Sequence, residues 1–444
     1  MNPIYSIIAL IIAIILIVKQ IKTWHYRVFL SPGFYFGCIW GIGFFGITIM
    51  HYGGLLIETY PYYIDELNIF AGFTCLCFLF WTKKGRKEVN EEIINIYFPK
   101  DSFTIFAILA FVAASIELLR SGIGMQSMGQ AREMSHEIIS GRSTLVSYAT
   151  LFGKGLSILA GYKLVERFLT GNKIVYSNIL LYVFPLISNL FLSIVVGGRV
   201  DFVYSILYYF VGAAFYLPIH FKLNSRLLTI FIIGIFIVVW FITSVQNERS
   251  VYHGGQTSRT EQYLKQKSPI LGALYGPIFY MSASYIGYQY RRVDDVDLNH
   301  LGYGMYTFNG FINWTLPFGN QIGLGNFSIA KKLGIYYNNQ HTYDYEREFY
   351  QSTHSGYIPI VKDFGVFGAF FCIFFLTYIS HSLFVKIQKK RFINRMYKFY
   401  FFLLFLDYWI NMNYYGTLSS TVLIPLYPLL LIDLIDSIIR GSKK

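Results

Sequence analysis

The stretch ERSVYHGGQTSRTEQ, Glu248 to Gln262, opens a long polar segment that closes with THSGYIPIVKD, Thr353 to Asp363. Between and including these ends the chain carries ten basic and nine acidic residues, whereas the apolar runs on either side, 227–247 and 366–385, carry none. Structureless connections of this length are uncommon in compact domains, and long loops are usually functional or carry structure of their own. We therefore take residues 248–363 as the working part of the protein and the remainder as its support.

The remainder has the composition of a membrane protein. The chain is 55% hydrophobic and 14% charged, with a mean hydropathy of +0.45, whereas soluble proteins carry about 25% charged residues. Apolar runs that suit a bilayer lie at 3–18, 29–50, 67–82, 102–119, 144–165, 174–197, 200–219, 227–247, 366–385, 399–413 and 420–439. We predict an all-α polytopic membrane protein with about 11 transmembrane helices. Residues 1–247 hold helices 1–8, 248–363 form a large outer loop, and 364–444 hold helices 9–11.

The basic residues predict the orientation. If the loop after the first span is cytoplasmic, the cytoplasmic segments hold 21 lysines and arginines and the short outer loops hold four. The positive-inside rule then places the N-terminus and the long loop outside and the C-terminus in the cytoplasm. The basic residues that give the net charge of +13 lie in these short clusters between apolar runs. No extended basic face remains that could bind nucleic acid.

Two semi-apolar pieces lie within the long loop. If Pro269–Tyr290 alone crossed the bilayer, the basic cluster Lys386–Lys398 would move outside, against the same rule. We therefore expect this piece to be a helix that lies on, or dips into, the outer leaflet. Tyr303–Phe318 is expected to behave in the same way, so the loop is predicted to contain short and interfacial helices.

The junction Gly197-Gly198-Arg199-Val200-Asp201 joins the sixth and seventh spans with almost no loop. Glycines allow the backbone to approach a ligand closely, and an arginine can bind a phosphate group through two hydrogen bonds. The alternative is that Arg199 extends to the membrane interface or pairs with Asp201.

Four further arginines lie on the same side of the membrane. Arg249 and Arg259 follow the eighth span, and Arg132 and Arg142 flank the loop after the fourth span. Together with Arg199 they would form a cationic entrance for an anionic head group. The competing interpretation is that each is a solvated loop charge.

Two candidates lie at the exit of the long loop. A histidine at position 354 suits a general acid or base, or a donor to a phosphate oxygen; the alternative is a surface histidine. Asp363 is either a catalytic carboxylate or the N-cap of the ninth span.

Other motifs argue against several functions. There is no P-loop, dinucleotide fingerprint, zinc-protease motif or nucleophile elbow. The acidic cluster Asp294-Asp295-Val296-Asp297 has no recognised ligand spacing and is read as solvated loop, so no metal or cofactor is predicted. The run around Asp344 alternates acids with tyrosines, which suggests a charged strand or loop edge.

These features resemble the O-antigen polymerases, the Wzy-type oligosaccharide repeat-unit polymerases, which have about a dozen helices and one dominant outer loop late in the chain. The resemblance rests on Gly197-Gly198-Arg199 between consecutive spans, on Arg249 and Arg259 at the start of the loop, and on its exit from Thr353 to Gly368. The related O-antigen ligases carry a comparable histidine at that exit, which favours His354.

The resemblance implies a glycosyltransferase of the GT-C type in the inner membrane, with its large loop in the periplasm. It would transfer glycan from an undecaprenyl diphosphate donor to the non-reducing end of another lipid-linked repeat unit. It implies no metal and no cofactor; the partners would be membrane lipid, the lipid-linked oligosaccharides and a chain-length regulator protein.

Such a transfer needs cationic groups for the departing diphosphate and a base for the acceptor hydroxyl. The resemblance assigns Arg199 and Arg249 to the diphosphate, with support from Arg259, and makes His354 a further donor or the base. A carboxylate base stays open among Asp201, Glu248 and Asp363.

Three other functions compete with this one. An O-antigen ligase would pass the same donor to lipid A core. A lipid-linked oligosaccharide flippase would have polar residues spread through its spans. An outer-face acyltransferase would need a histidine or an acid within a span. His381 is the only histidine within a predicted span.

Overall fold

The structure is a computed structural model of the chain. It describes residues 2–54, 60–85, 93–121, 144–170, 176–196, 200–217, 282, 284–285, 287–293, 296, 298–299, 301–308, 342–344, 349–351, 355–390, 392–393, 395, 397–412 and 426–441.

The described residues are mostly helical, as the sequence predicts. The helices are α1 Pro3–Trp24, α2 Pro32–Tyr52, α3 Pro61–Gly85, α4 Lys100–Ser121, α5 Thr144–Thr170, α6 Tyr176–Val196, α7 Val200–Tyr216, α8 Tyr357–Gln388, α9 Tyr397–Asn411 and α10 Tyr427–Gly441, with a 3₁₀ turn at His25–Leu30. The helical residues within 282–293 are called the loop helix below. The strands are β1 Asn95–Ile96, β2 Thr342–Asp344, β3 Phe349–Gln351 and β4 Phe392–Ile393.

Proline marks the start of the first three helices. Pro3, Pro32 and Pro61 each occupy the first helical position, where the missing N–H would have no helical partner and the ring already holds a helical φ. The Asn2 side chain also accepts a hydrogen bond from the backbone N–H of Ile4, 3.1 Å away, and so caps α1.

Several helices suit a lipid environment. Within the described ranges, five are long and apolar enough to cross a membrane: Pro3–Leu30, Pro32–Tyr52, Pro61–Lys83, Lys100–Ser121 and Tyr357–Gln388. On α8 the rings of Phe367, Phe371 and Phe375 are exposed and repeat every four residues. This spacing aligns them in one stripe, which is the surface expected of a helix that faces lipid.

The helices follow the predicted spans closely. Each predicted apolar run overlaps a described helix, except 227–247, which lies outside the described residues. The helices α6 and α7 contain shorter apolar segments, Ile179–Val195 and Ser205–Tyr216.

The chain forms two compact units. Unit 1 comprises Met1–Asn90, Ser258–Lys389 and Phe401–Leu423; unit 2 comprises Glu91–Thr257, Lys390–Tyr400 and Ile424–Lys444. Residues 258–363 of the long loop therefore belong to unit 1 together with the first three helices, and residues 248–257 belong to unit 2. This grouping cuts across the three successive segments predicted from the sequence.

Aromatic rings hold the core of unit 1. Phe36 stacks on Trp40 with ring centroids 5.6 Å apart, and Trp409 packs edge-on against Phe36 at 5.4 Å and Phe78 at 5.1 Å. These contacts join α2, α3 and α9 around large buried side chains.

Unit 2 depends on a close approach of α5 and α7. A Cβ added at Gly161 would meet the backbone of Tyr209, and one at Gly212 would meet the carbonyl oxygen of Ile158. Next to this crossing, the Ser157 and Ser205 hydroxyl oxygens are 2.6 Å apart. Small residues let membrane helices approach closely, and buried hydroxyls hold them together.

Helix α8 is interrupted at Gly365, which has φ 68 and ψ 178. This conformation is open almost only to glycine. The helix begins at Tyr357, with Gly356 as N-cap, whereas the sequence predicted loop up to Asp363. Asp363 is therefore not the N-cap of this helix, and that expectation was wrong.

The start of α8 is buried inside unit 1. The Tyr357 hydroxyl is 2.6 Å from that of Thr74, in the middle of α3, and its ring stacks on Phe70 at 5.6 Å. Beyond the interruption, Phe370 contacts Phe70 at 5.0 Å and Phe73 at 5.1 Å. Both arms of α8 therefore flank the same stretch of α3, so the loop ends beside the middle of a membrane helix.

The two semi-apolar pieces of the loop differ in their secondary structure. The described part of Pro269–Tyr290 is helical, as predicted, but most of its side chains are buried against protein. The described part of Tyr303–Phe318 forms turns instead of helix. β2 pairs with β3 in antiparallel register, Thr342 opposite Gln351, so Asp344 lies in a short strand, which is one of the two alternatives given for this run.

We expect Gly212→Ala to destabilise the protein. The new methyl group would lie 2.8 Å from the Tyr162 nitrogen, besides its clash with the Ile158 carbonyl, and backbone atoms cannot turn aside. Overpacking of this kind costs about 1–3 kcal/mol. The measurement is the thermal unfolding midpoint of the purified protein in lipid nanodiscs.

The matched control is Gly41→Ala, whose methyl group would lie 3.7 Å from the Ala13 Cβ, an ordinary contact. Equal midpoints for the two variants would contradict the close approach of α5 and α7.

Candidate functional site

The loop helix packs a row of aromatic and polar side chains against membrane helices. Tyr288 and Arg292 are four residues apart and therefore share one helix face. Further back, the ring of Tyr285 packs edge-on against Trp40 at 5.7 Å and Phe44 at 6.3 Å. The loop helix is thus seated on α2 by its rings and on α3 by its polar groups.

Glu66 is the polar centre of this contact. Its Oε1 accepts hydrogen bonds from the Tyr288 hydroxyl at 2.6 Å and from Arg292 Nε at 2.9 Å. Directly before α3, the Tyr60 N–H donates to Gln289 Oε1 at 2.8 Å. A buried charge is costly without its partner, so Glu66 and Arg292 specify where the loop helix must dock.

The Arg292 guanidinium lies over the ring of Tyr63, 5.1 Å from its centroid. Burial, and then the neighbouring Glu66 charge, raise the pKa of Tyr288 well above its usual value. The Tyr288 hydroxyl therefore stays protonated and continues to donate to Glu66.

A second contact joins the loop to α8. The Gly302 and Tyr303 N–H groups donate, each at 3.1 Å, to the carbonyl oxygens of Lys362 and Asp363. In an unbroken helix these carbonyls would bond residues four positions later, and the break at Gly365 prevents this. The loop therefore supplies the hydrogen bonds that the interrupted helix lacks.

The Asp363 side chain completes this contact. Its Oδ1 accepts from the Tyr306 N–H at 3.1 Å and its Oδ2 from the Thr307 N–H at 2.6 Å, and the residue is fully buried. The turn that this carboxylate caps belongs to the loop, whereas the sequence offered only the N-cap of the ninth span or a catalytic role.

Close packing surrounds this carboxylate. A Cβ at Gly302 would meet Asp363 Oδ1 and approach the Tyr306 ring to 2.5 Å, so only glycine fits. Lys362 Nζ lies 4.2 Å from the centroid of the same ring. Burial, and then the Asp363 charge, raise the pKa of Tyr306, which keeps its hydroxyl protonated.

The structure tests few of the predicted site residues. Asp363 is the one whose side chain is described. Asp201 lies in the first turn of α7, but its side chain is not among those that the structure describes. The other predicted residues all lie outside the described ranges: His354, Glu248, Arg199, Arg249, Arg259, Arg132 and Arg142.

Sequence reasoning missed Glu66, Tyr288 and Arg292. Two signals were available: a carboxylate directly before an apolar run, and a tyrosine and an arginine four residues apart in a piece already predicted to be helical. Their pairing, across more than 200 positions, could not be read from either segment alone.

The Arg292 guanidinium, the Lys362 ammonium and the tyrosine hydroxyls at these two contacts are of the chemical types that bind the hydroxyl or anionic groups of a ligand. Among the residues that the structure describes, no group of three or more His, Cys, Asp or Glu side chains is placed to hold a metal ion.

Comparison with known proteins adds no assignment: no protein-family model, curated protein or solved structure matches the chain. The fold and these contacts define its class as a mostly helical protein with several membrane-spanning candidates, onto which parts of a long loop are docked by buried polar groups.

We expect Asp363→Ala to loosen the loop from α8. The change leaves the N–H groups of Tyr306 and Thr307 without their acceptor, at a cost of roughly 1–3 kcal/mol for a buried group. The unfolding midpoint should fall, and trypsin should cleave the loop faster than in the parent.

Asp363→Asn is the matched variant, since its amide oxygen still accepts one of the two hydrogen bonds. It should lie between the parent and Asp363→Ala; identical behaviour of the two variants would contradict the capping role.

Proposed function

We propose that this protein is a membrane glycosyltransferase that polymerises lipid-linked oligosaccharide repeat units. It transfers glycan from an undecaprenyl diphosphate donor to the non-reducing end of a lipid-linked acceptor. The proposal rests on the resemblance in sequence to the O-antigen polymerases. One structural observation supports it most: the long loop is anchored on helices that suit a membrane by buried polar contacts to Glu66 and Asp363.

This anchoring matters for the chemistry. Catalytic groups must be held in place on rigid elements to orient reactants. A loop with no fixed contacts would not hold groups against a lipid-linked substrate at the membrane surface. The loop helix is anchored on α3 through Glu66, and the turn at 301–308 is anchored on α8 through Asp363.

The proposed roles follow the chemistry of diphosphate departure. Arg199 and Arg249 bind the diphosphate, with Arg259, Arg132 and Arg142 around them, because arginine pairs with phosphate oxygens through two hydrogen bonds. The leaving group gains negative charge in the transition state, so cations placed there lower the barrier. His354 donates to the diphosphate or takes the acceptor proton.

In this scheme Asp363 holds the loop in position and is not the base. Both of its oxygens already accept backbone hydrogen bonds, which leaves it poorly suited to take a proton from an acceptor hydroxyl. Asp201 and Glu248 remain the carboxylates proposed for that step.

The finer architecture also belongs to the proposal. Eleven spans would place the N-terminus and the long loop in the periplasm and the C-terminus in the cytoplasm of a bacterial inner membrane. The distribution of lysine and arginine supports this orientation. A chain-length regulator protein is proposed as a partner.

The alternatives make different demands. A flippase needs polar groups along a path through the membrane. In unit 2 the buried side chains of Ser157, Ser205 and Asn189 are uncharged and bond to one another, which favours a role in packing. An O-antigen ligase shares the donor and differs in its acceptor, so an assay of products separates it from a polymerase.

The test is complementation of a polymerase-deficient strain that makes a matching repeat unit, with the polysaccharide ladder read on a gel. The parent should restore the ladder, because each transfer adds one repeat. Arg199→Ala and His354→Ala should leave a single repeat at normal expression, because each loses a group that binds or activates the diphosphate.

Arg120→Ala is the control, since Arg120 is an exposed outer arginine beside Glu117 with no proposed role. A parent that gives no ladder but attaches preformed chains to lipid A core would be a ligase. A ladder that survives both substitutions would contradict the site residues.

A further inference from the structure

The exit of the long loop is fixed to unit 1 at residues 355–357. The Gly356 N–H donates to the carbonyl oxygen of Met412, just past the end of α9, at 2.8 Å. The residues on either side of Gly356 are fully buried, and the Tyr357 ring packs edge-on against Trp40 of α2, with ring centroids 5.4 Å apart. The loop exit therefore contacts both α2 and the end of α9.

These contacts lie far from the connected ends of α2 and α3. The Tyr357 hydroxyl is 2.6 Å from that of Thr74, near the middle of α3. A helix rises about 1.5 Å per residue, so Thr74 lies roughly 20 Å from Pro61, where α3 begins. Trp40 lies about as far from Tyr52, where α2 ends. The loop exit is thus about halfway along two candidate membrane spans.

The long arm of α8, residues 366–388, shows which way this helix runs. Phe370 contacts Phe73 with ring centroids 5.1 Å apart, and Phe374 contacts Trp81 at 5.0 Å. The residue numbers increase together, so this arm runs in the same direction as α3. At about 1.5 Å per residue it is about 35 Å long, which is enough to cross a bilayer without the short arm.

The short arm of α8, residues 357–364, runs the other way. Tyr357 and Phe370 both contact Phe70, with ring centroids 5.6 and 5.0 Å away. A straight helix would place these two residues about 20 Å apart along its axis. They reach the same level because the chain reverses at Gly365, where φ is 68 and ψ is 178. From Tyr357 the short arm therefore leads toward the connected ends of α2 and α3, and the long arm leads back.

We infer that the loop exit re-enters the part of unit 1 formed by its candidate membrane spans, and that Tyr357 and Thr74 are positioning residues that hold it there. Irregular backbone is tolerated at such a depth where it is buried in protein, and Ser355 and the bonded N–H of Gly356 meet this condition. Ser355 directly follows the proposed His354 in the sequence. On the proposed function, on which this last step rests, the contact of Tyr357 with Thr74 fixes the segment to which that histidine belongs.

The chain offers a matched control for this contact. The Thr74 hydroxyl donates to the Phe70 carbonyl at 2.9 Å, so it accepts from the Tyr357 hydroxyl. A second contact of the Tyr357 hydroxyl, to the same carbonyl, is 3.5 Å long and therefore weak. Thr82, also buried and two turns further along α3, donates to the carbonyl one turn earlier at 2.6 Å and accepts from Gln20 of α1 at 2.7 Å. The two threonines thus differ in whether the partner belongs to the loop exit.

The reversal at Gly365 is tested by the membrane depth of the exposed phenylalanines on α8. Spin labels are placed at Phe367→Cys, Phe371→Cys and Phe375→Cys, one at a time, in the full-length protein with its native cysteines replaced by alanine, in lipid nanodiscs. Collisions with oxygen and with a water-soluble nickel complex give the depth of each label. Phe367 should lie near the bilayer surface, and each later position should lie about 6 Å deeper.

A straight helix from Tyr357 to Gln388 predicts a different order. Its middle falls close to Phe371, so Phe371 would be the deepest of the three positions and Phe375 would lie past the bilayer middle. A label at Phe371 that is as deep as the label at Phe375, or deeper, would overturn the re-entrant exit. The protein without an introduced cysteine gives the background signal.

Hydrogen exchange tests the positioning contact. Thr74→Val removes the acceptor of the Tyr357 hydroxyl with little change in side-chain shape, and Thr82→Val does the same for Gln20. Mass spectrometry on the protein in nanodiscs should find the amides of residues 355–361 exchanging roughly two- to tenfold faster in Thr74→Val than in the parent, and unchanged in Thr82→Val. Tyr357→Phe removes the same contact from its other side and keeps the test open if Thr74→Val fails to fold. Parent-like exchange in the Thr74 and Tyr357 variants, or equal acceleration in Thr82→Val, would overturn the contact as the positioning device.

The ladder assay tests the step toward His354. Thr74→Val should shorten the ladder, Thr74→Ser should restore it because serine keeps the hydroxyl, and Thr82→Val should leave it at full length. A general loss of stability would instead affect both valine variants alike. A full-length ladder in Thr74→Val despite faster exchange would overturn the positioning role. A parent that gives no ladder would remove the proposed function and the step toward His354, whereas the depth and exchange measurements would still decide whether the loop exit is re-entrant.

Discussion

The hydrogen bonds from the Gly302 and Tyr303 N–H groups to the carbonyls of Lys362 and Asp363 are the contacts on which the loop and α8 both depend. Backbone polar groups away from water must find partners, and the break at Gly365 leaves carbonyls of α8 without helical ones. The loop satisfies them, so the helix can be interrupted. In return, the turn at 301–308 takes a defined position, with the Asp363 carboxylate as its cap.

The requirement that polar groups away from water find partners also explains the side-chain cluster around Glu66. Neither Glu66 nor Arg292 is favourable when buried alone, and each is tolerated because the other is present. Such a pair adds little net stability relative to an apolar contact, but it favours one docking position for the loop helix. The described part of the loop helix is thereby held at one place on α3.

Much of the fold was predictable from local sequence. Apolar runs located the helices, because a segment without charges must avoid water whatever surrounds it, and Pro3, Pro32 and Pro61 marked helix starts through their own geometry. The start of α8 was not predictable in this way. Lys362 and Asp363 look like the edge of a membrane span, yet the helix begins at Tyr357, because Thr74 and Phe70 of α3 accommodate its ring.

The sequence alone therefore determined that the chain is helical, rich in membrane-spanning candidates and equipped with one long polar loop, since composition and periodicity act over neighbouring residues. The tertiary structure decided which turn Asp363 caps, and that Glu66 pairs with Arg292 and Tyr288. These contacts join residues 56 to 226 positions apart, and the cost of burying a charge is met only once the folded chain brings its partner to it.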